Sequence, residues 1–197
     1  LATLALLKAR SRCPECGARP LLLAAFVEVA TGLLFAGLWL RFGLRLELLL
    51  SAVYSAVFVV IFAVDMRWRL VPNKVVLPSA LFALGGSTMW LGFSSTVLGG
   101  LVGFGILLVF YAGFPGGLGA GDVKLAALIG FVTGWPGVLL ALVVGFSVGG
   151  LISAVLLAAR QVSLHSRIPY APSLVIGALI AMLFSQDILS WYLDRFM

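Results

Sequence analysis

Long, continuous apolar runs separated by short polar turns constrain the fold of this chain more than any other feature. A helix of about 17–25 apolar residues spans a bilayer, whereas a membrane β-barrel needs segments of about ten residues in which apolar and polar positions alternate. Of the 197 residues, 62% are hydrophobic and 10% are charged. A soluble chain of this size cannot bury so much apolar surface. The sequence therefore predicts an all-α fold, a polytopic bundle of transmembrane helices.

Seven apolar runs are predicted to span the membrane. They cover approximately residues 21–40, 46–64, 75–93, 97–114, 123–132, 138–159 and 173–193, and the fifth is short. This pattern predicts a short cytoplasmic amino-terminal segment, residues 1–20, and one membrane-embedded domain, residues 21–197. Two glycine pairs, Gly99 with Gly103 and Gly145 with Gly149, have the spacing that lets membrane helices approach closely. We expect tight helix packing at both pairs, with a hinge as the alternative.

The positions of the basic residues predict the orientation of the chain. If the amino terminus faces the cytoplasm and seven spans alternate, ten of the 13 Lys and Arg residues lie on the cytoplasmic side, as the positive-inside rule requires. The net charge of +6 is then a signal of topology. We therefore expect contact with membrane lipid and no nucleic-acid partner. In this orientation Asp65, after the second span, and Asp122, before the fifth, both lie at the cytoplasmic boundary.

Asp65 and Asp122 are the candidates for catalysis among the acidic residues. Two carboxyls in a partly desolvated site share one proton, because they do not readily ionise together. The ionised carboxyl of such a pair can take a proton from an attacking water, while the protonated one donates to a peptide carbonyl. Gly119 and Gly121 suit a tight turn beside such a site. Since His165 is the only histidine, we expect neither a Ser-His-Asp triad nor a histidine-based zinc site.

Spacing alone leaves other interpretations of the two aspartates open. Both could be interface charges, one capping a helix and the other paired with Arg67 or Arg69. A proton-coupled transporter for small solutes also places ionisable groups inside its bundle, although the sequence shows no inverted repeat. A third alternative is an inactive assembly component of a pilus or secretion machine, which the presence of both aspartates argues against.

Three segments of the chain resemble the type IV prepilin peptidases, relatives in mechanism of the GxGD intramembrane aspartyl proteases. The segments are Ala63-Val64-Asp65 with Val71-Pro72-Asn73 and Pro78, then Gly119-Ala120-Gly121-Asp122-Val123-Lys124-Leu125, and finally Ile168-Pro169-Tyr170-Ala171-Pro172. The resemblance covers roughly residues 27–184. It implies a multi-pass aspartic endopeptidase of the bacterial inner membrane that removes the basic leader from prepilins or pseudopilins at the cytoplasmic face. Asp65 and Asp122 carry over as the catalytic pair.

Two further charged residues are candidates for a supporting role. Lys124 matches the lysine of the second segment, where it would position the loop, contact the substrate or anchor the topology. Glu28 lies about eight residues into the first span, about 12 Å along the helix. A carboxyl at that depth is expected to face protein, and its charge suits recognition of a basic leader.

A single CxxC pair, Cys13 and Cys16, departs from the family pattern. Many bacterial members carry two such pairs that bind zinc, and they also methylate the new amino terminus with S-adenosylmethionine. One pair supplies two of the four ligands of a structural zinc site, so we expect no closed zinc site here. The family's upstream helix and the asparagine-containing segments after it are also missing. A peptidase without N-methyltransferase activity, or a trimmed chain, fits best, and the aspartate mechanism itself requires no cofactor.

Overall fold

The computed structural model describes residues 20–113, 118–159 and 170–196, and within those ranges it contains seven α-helices and no strand. The helices are α1 (Pro20–Phe42), α2 (Leu46–Trp68), α3 (Asn73–Leu91), α4 (Phe93–Gly113), α5 (Ala120–Thr133), α6 (Gly137–Ala158) and α7 (Ala171–Phe196). The chain divides into two compact units, Leu1–Leu48 and Leu49–Met197. The first includes α1, and the second contains α3 to α7 and most of α2.

Each predicted apolar run coincides with one helix, so the all-α prediction is confirmed. Five of the described helices, α2, α3, α4, α6 and α7, are long and apolar enough to cross a membrane. The short fifth run forms α5, whose 14 residues extend about 21 Å, less than the roughly 30 Å of a hydrocarbon core. The predicted amino-terminal segment and the CxxC pair lie outside the described residues, apart from Pro20.

The helices that carry the two aspartates extend beyond the predicted spans. Asp65 lies inside α2, which continues to Trp68, and Asp122 lies in the first turn of α5. Both aspartates therefore lie just outside the predicted apolar spans, as expected, but inside helices. A drop in hydropathy marks the membrane boundary, but backbone hydrogen bonding does not stop there. α2 ends where Arg69 adopts a φ of 52°, and Pro72 then biases the preceding residue away from helical geometry.

α5 lies at the centre of the second unit, where it contacts α3, α4, α6 and α7. Glycines bring its backbone against that of α4: a β-carbon on Gly99 would collide with the carbonyl oxygen of Gly130, and one on Gly103 with that of Ala126. Such contacts leave no room for a side chain. The close packing predicted at Gly99 and Gly103 is confirmed.

The second glycine pair packs α6 against α7. A β-carbon on Gly145 would lie 3.2 Å from the Cα of Leu174, and one on Gly149 would lie 2.7 Å from Cε2 of Tyr170. The close packing predicted at these positions is also confirmed. Gly149 in particular makes room for an aromatic ring at the amino-terminal end of α7.

Large apolar side chains cover the outer surface of the second unit. Leu81 and Val109 are 73% and 71% exposed, and the side chains of Leu151 and Val143 are also largely exposed. A monomeric soluble protein does not expose such extensive apolar surface to water. Together with the five helices long and apolar enough to span a bilayer, this surface indicates a multi-pass membrane protein.

The packing of α4 against α5 predicts different effects for two glycine substitutions on one helix. Gly99→Ala should lower the free energy of unfolding by about 1–3 kcal/mol, because the added methyl group overpacks a backbone contact. Gly105 has nothing within 4 Å of its β-carbon position, so Gly105→Ala should be neutral or stabilise by up to about 1 kcal/mol. Denaturant unfolding in detergent measures both. Equal effects of the two substitutions would contradict the packing.

Candidate active site

α2 presents Asp65 on its buried face. Tyr54, Phe58, Ile61 and Asp65 are all buried, and their spacing of four, three and four residues places them on one side of an α-helix. The carboxyl is 4% exposed. The apolar residues of this face fix the rotation of α2 about its axis, and Asp65 consequently points into the protein.

One oxygen of Asp65 lies buried without a hydrogen bond. Oδ2 has no partner among the described residues, and the positive charge of Arg69 acts on the carboxyl. The backbone N–H of Arg69 also donates to the carbonyl oxygen of Asp65, at 2.8 Å. A buried polar oxygen without a partner is energetically costly. Such an oxygen is suited to receiving a proton, a water molecule or a substrate group.

The amino-terminal turn of α5 holds Asp122 through two reciprocal hydrogen bonds. The backbone N–H of Gly119 donates to Oδ2 of Asp122 at 3.0 Å, and the N–H of Asp122 donates to the carbonyl oxygen of Gly119 at 3.0 Å. The side chain is 8% exposed. A carboxylate in the first helical turn is also favoured by the helix dipole. The carboxyl therefore has a fixed position with one oxygen engaged.

The glycines of this turn allow two close approaches. A β-carbon on Gly121 would lie 2.7 Å from Cβ of Val71, and one on Gly119 would lie 3.3 Å from Oδ2 of Asp122. The turn thus packs directly on Val71, which lies in the connection that follows α2, residues 69–72. This contact brings Asp122 to the end of α2 that carries Asp65.

The two carboxyls are electrostatically coupled. Asp122 precedes the apolar stretch of α5 and lies outside the five spanning helices. Burial raises the pKa of Asp122 to about 6, the N–H of Gly119 opposes this effect, and the negative charge of Asp65 adds to it. Two carboxyls that interact in this way titrate as a pair and retain a shared proton at higher pH than an isolated aspartate would.

Tyr170 is a third polar group beside the pair. It immediately precedes α7, and its ring packs on Phe146 with 5.9 Å between centroids. Burial raises the pKa of Tyr170 to about 12, and the negative charge of Asp122 contributes to that rise. The tyrosine is therefore close enough to sense the charge of Asp122. Its segment was singled out in the sequence, but the residue itself was not predicted as part of the site.

Lys124 reaches the first residue of α3. Its Nζ donates to Oδ1 of Asn73 at 3.1 Å, so the lysine joins α5 to the helix that follows the α2–α3 connection. Asn73 was likewise not predicted as a site residue. The Val71-Pro72-Asn73 segment that carried the resemblance contains it, but nothing in that segment indicated a contact with Lys124.

Glu28 lies on α1, in the first unit, where its side chain is exposed. Its expected contact with protein and its role toward a substrate stay predictions. Cys13 and Cys16 lie outside the described residues, and among those residues no cluster of three or more His, Cys, Asp or Glu side chains could hold a metal.

The coupling predicts how the titration of Asp122 responds to its neighbour. In Asp65→Asn the pKa of Asp122 should fall below about 6, because a negative charge that raises it has been removed. It should stay above the ordinary value because burial, the larger cause, remains. NMR of carboxyl-labelled aspartate in detergent measures this. Asp194→Asn, at an exposed position of α7, should leave the titration unchanged. An unaltered pKa in Asp65→Asn would show that the carboxyls are not neighbours.

Comparison with known proteins places this site within a family. The type IV leader peptidase family matches residues 52–155, which include both aspartates. A prepilin leader peptidase/N-methyltransferase of Bacillus subtilis (strain 168) is 30% identical over 189 residues, covering 93% of this chain and 75% of the relative. A protein of the same name from Pseudomonas putida is 30% identical over 195 residues, covering 95% and 68%. No solved structure matches the chain. The resemblance seen in the sequence is confirmed: the chain belongs to the type IV leader peptidase family.

Proposed function

We propose that this protein is an aspartic endopeptidase that removes the leader from prepilins or pseudopilins, with Asp65 and Asp122 as its catalytic pair. The observation that carries the proposal is the coupling of two buried carboxyls, one from α2 and one from α5, at one end of the bundle. Family membership supports prepilin processing as the activity. It also argues against the transporter and the inactive assembly component, since the matched family is one of peptidases.

The proposed reaction needs only water and the two carboxyls. Ionised Asp65 takes a proton from water as the water oxygen attacks the scissile carbonyl carbon, and protonated Asp122 donates to the carbonyl oxygen. The tetrahedral intermediate then collapses: the proton on Asp65 passes to the leaving nitrogen, and a hydroxyl of the intermediate returns a proton to Asp122. The products are a carboxylic acid on the leader and a new amine on the mature protein.

The structure supports this division of roles between the carboxyls. The Asp122 carboxyl has a pKa raised to about 6, which suits the group that holds the shared proton. Since Oδ2 of Asp122 accepts from Gly119, Oδ1 is the oxygen that can carry it. Asp65 has a buried oxygen without a hydrogen-bond partner among the described residues, which suits the group that receives a proton from water.

The active site is proposed to face the cytoplasm, at the inner membrane of a bacterium. The distribution of the basic residues supports this orientation, and Arg67, Arg69 and Lys74 lie in or next to the connection between α2 and α3. The same charges would repel a basic leader at short range. Acidic groups are therefore needed elsewhere on the substrate path, and Glu28, exposed on α1, is the proposed one.

The relatives' names also include N-methyltransferase. For this chain the absence of that activity, and of a need for S-adenosylmethionine or zinc, stays a prediction from the sequence. The residues that motivated it lie outside the described ranges.

Replacing either aspartate should abolish leader removal. In Asp65→Asn and Asp122→Asn the pair can no longer both accept and donate a proton, and we expect cleavage to fall by at least about a hundredfold. The assay uses protein in inverted or right-side-out vesicles, a prepilin peptide added outside, and mass spectrometry of the products. Inverted vesicles should cleave the peptide and right-side-out vesicles should not.

Asp194→Asn is the matched control, because it removes a carboxyl that is exposed near the end of α7. It should cleave at the wild-type rate. Undiminished cleavage by either Asp65→Asn or Asp122→Asn would refute the proposed mechanism, and cleavage only by right-side-out vesicles would refute the proposed orientation.

A further inference from the structure

We propose that Lys124 is a positioning residue that acts through Asn73, and that their hydrogen bond holds the first turn of α5 against the α2–α3 connection so that the two carboxyls keep their relative position. This inference rests on the proposed function of the aspartates. It assigns one role to Lys124 where the sequence left three open.

Lys124 is placed to hold two segments of the chain together and not to contact the reacting atoms. It lies two residues after Asp122 on α5, and side chains two apart on a helix point in different directions. While Asp122 is buried, the amine of Lys124 lies in an exposed hydrogen bond, 3.1 Å from Oδ1 of Asn73. The lysine therefore reaches around the turn to α3.

A steric contact holds the same two segments together at a second point. Gly121 packs on Val71, with a β-carbon position 2.7 Å from Cβ of that valine. Val71 and Asn73 flank Pro72, whose ring fixes φ and stiffens the connection between them. The contact resists approach of the two segments, and the hydrogen bond resists their separation. Together they fix the distance between the first turn of α5 and the end of α2.

The carboxyls lie on these two segments. Asp65 precedes the connection, which the N–H of Arg69 ties back to the carbonyl of Asp65 at 2.8 Å. Asp122 is held within the turn by its bond to Gly119 at 3.0 Å. Any shift of the turn relative to the connection therefore changes the separation of the carboxyls. A misplacement of about 1 Å can cost about a hundredfold in rate.

Substrate contact, the competing role, is less compatible with the charge of Lys124. A cationic amine repels a basic leader, whereas it forms a strong, charge-assisted hydrogen bond with an amide oxygen. Loss of the bond should therefore lower kcat and leave KM unchanged.

The experiment removes the bond from each side. Lys124→Met and Asn73→Leu keep the approximate size of each side chain but lose the donor or the acceptor. Each should lower kcat for leader cleavage about ten- to a hundredfold with KM unchanged. The double variant should be no slower than the slower single variant, since both remove one interaction. Asn73→Asp retains an acceptor for the lysine and should restore most of the rate.

Arg195→Met is the matched control, because it removes an exposed cationic side chain near the end of α7 that lies outside this bond. It should leave kcat and KM at wild-type values. Unfolding of all variants in detergent is measured in parallel. If kcat falls in parallel with the free energy of unfolding across the variants, and Asn73→Asp does not restore it, the bond has a merely structural role and the proposal is overturned.

Three further outcomes separate this proposal from the proposed function. A rise in KM with Lys124→Met and no effect of Asn73→Leu would make the lysine a substrate contact and overturn the positioning role. If both aspartates are essential but Lys124→Met and Asn73→Leu cleave like wild type, only the positioning role fails. If Asp65→Asn or Asp122→Asn cleaves normally, the function itself fails.

Discussion

The contact between the first turn of α5 and the connection after α2 is the constraint on which the site depends. Gly121 permits it, because any side chain there would collide with Val71. Without this approach the two aspartates would remain separate interface charges on different helices, as spacing alone allowed. With it, the negative charge of Asp65 reaches Asp122. A single missing β-carbon thus makes a coupled carboxyl pair sterically possible.

The short helix α5 makes this approach compatible with a membrane protein. A helix of 14 residues is shorter than the hydrocarbon core, so it cannot reach both membrane surfaces. Its contacts with α3, α4, α6 and α7 keep its backbone away from lipid, where unsatisfied polar groups would be costly. Glycines such as Gly99 and Gly130 make that packing close enough to fix α5. The carboxyl at its first turn is consequently held by the protein on several sides.

Much of this arrangement could be predicted from the sequence, because the length of an apolar run and the position of a charge are local properties. The seven helices and the tight glycine contacts followed from such properties, whereas the choice of Asp65 and Asp122 as catalytic residues depended on the resemblance to the prepilin peptidases and stays a prediction. Asn73 and Tyr170 could not be predicted in this way, since an uncharged polar residue becomes part of a site only through the segments that meet around it.

The central claim is that Asp65 and Asp122 together stabilise the tetrahedral state of peptide hydrolysis. The most direct test is the binding of a prepilin peptide whose scissile amide is replaced by a hydroxyethylene group, a tetrahedral mimic that cannot be cleaved. Binding is measured by titration calorimetry in detergent, and the unmodified peptide is measured on Asp65→Asn because wild-type protein would cleave it. The mimic should bind wild-type protein at least about a hundredfold tighter than the unmodified peptide binds Asp65→Asn. That advantage should disappear when the mimic is offered to Asp65→Asn or Asp122→Asn. Equal affinity of the mimic for wild type and both variants would contradict the claim.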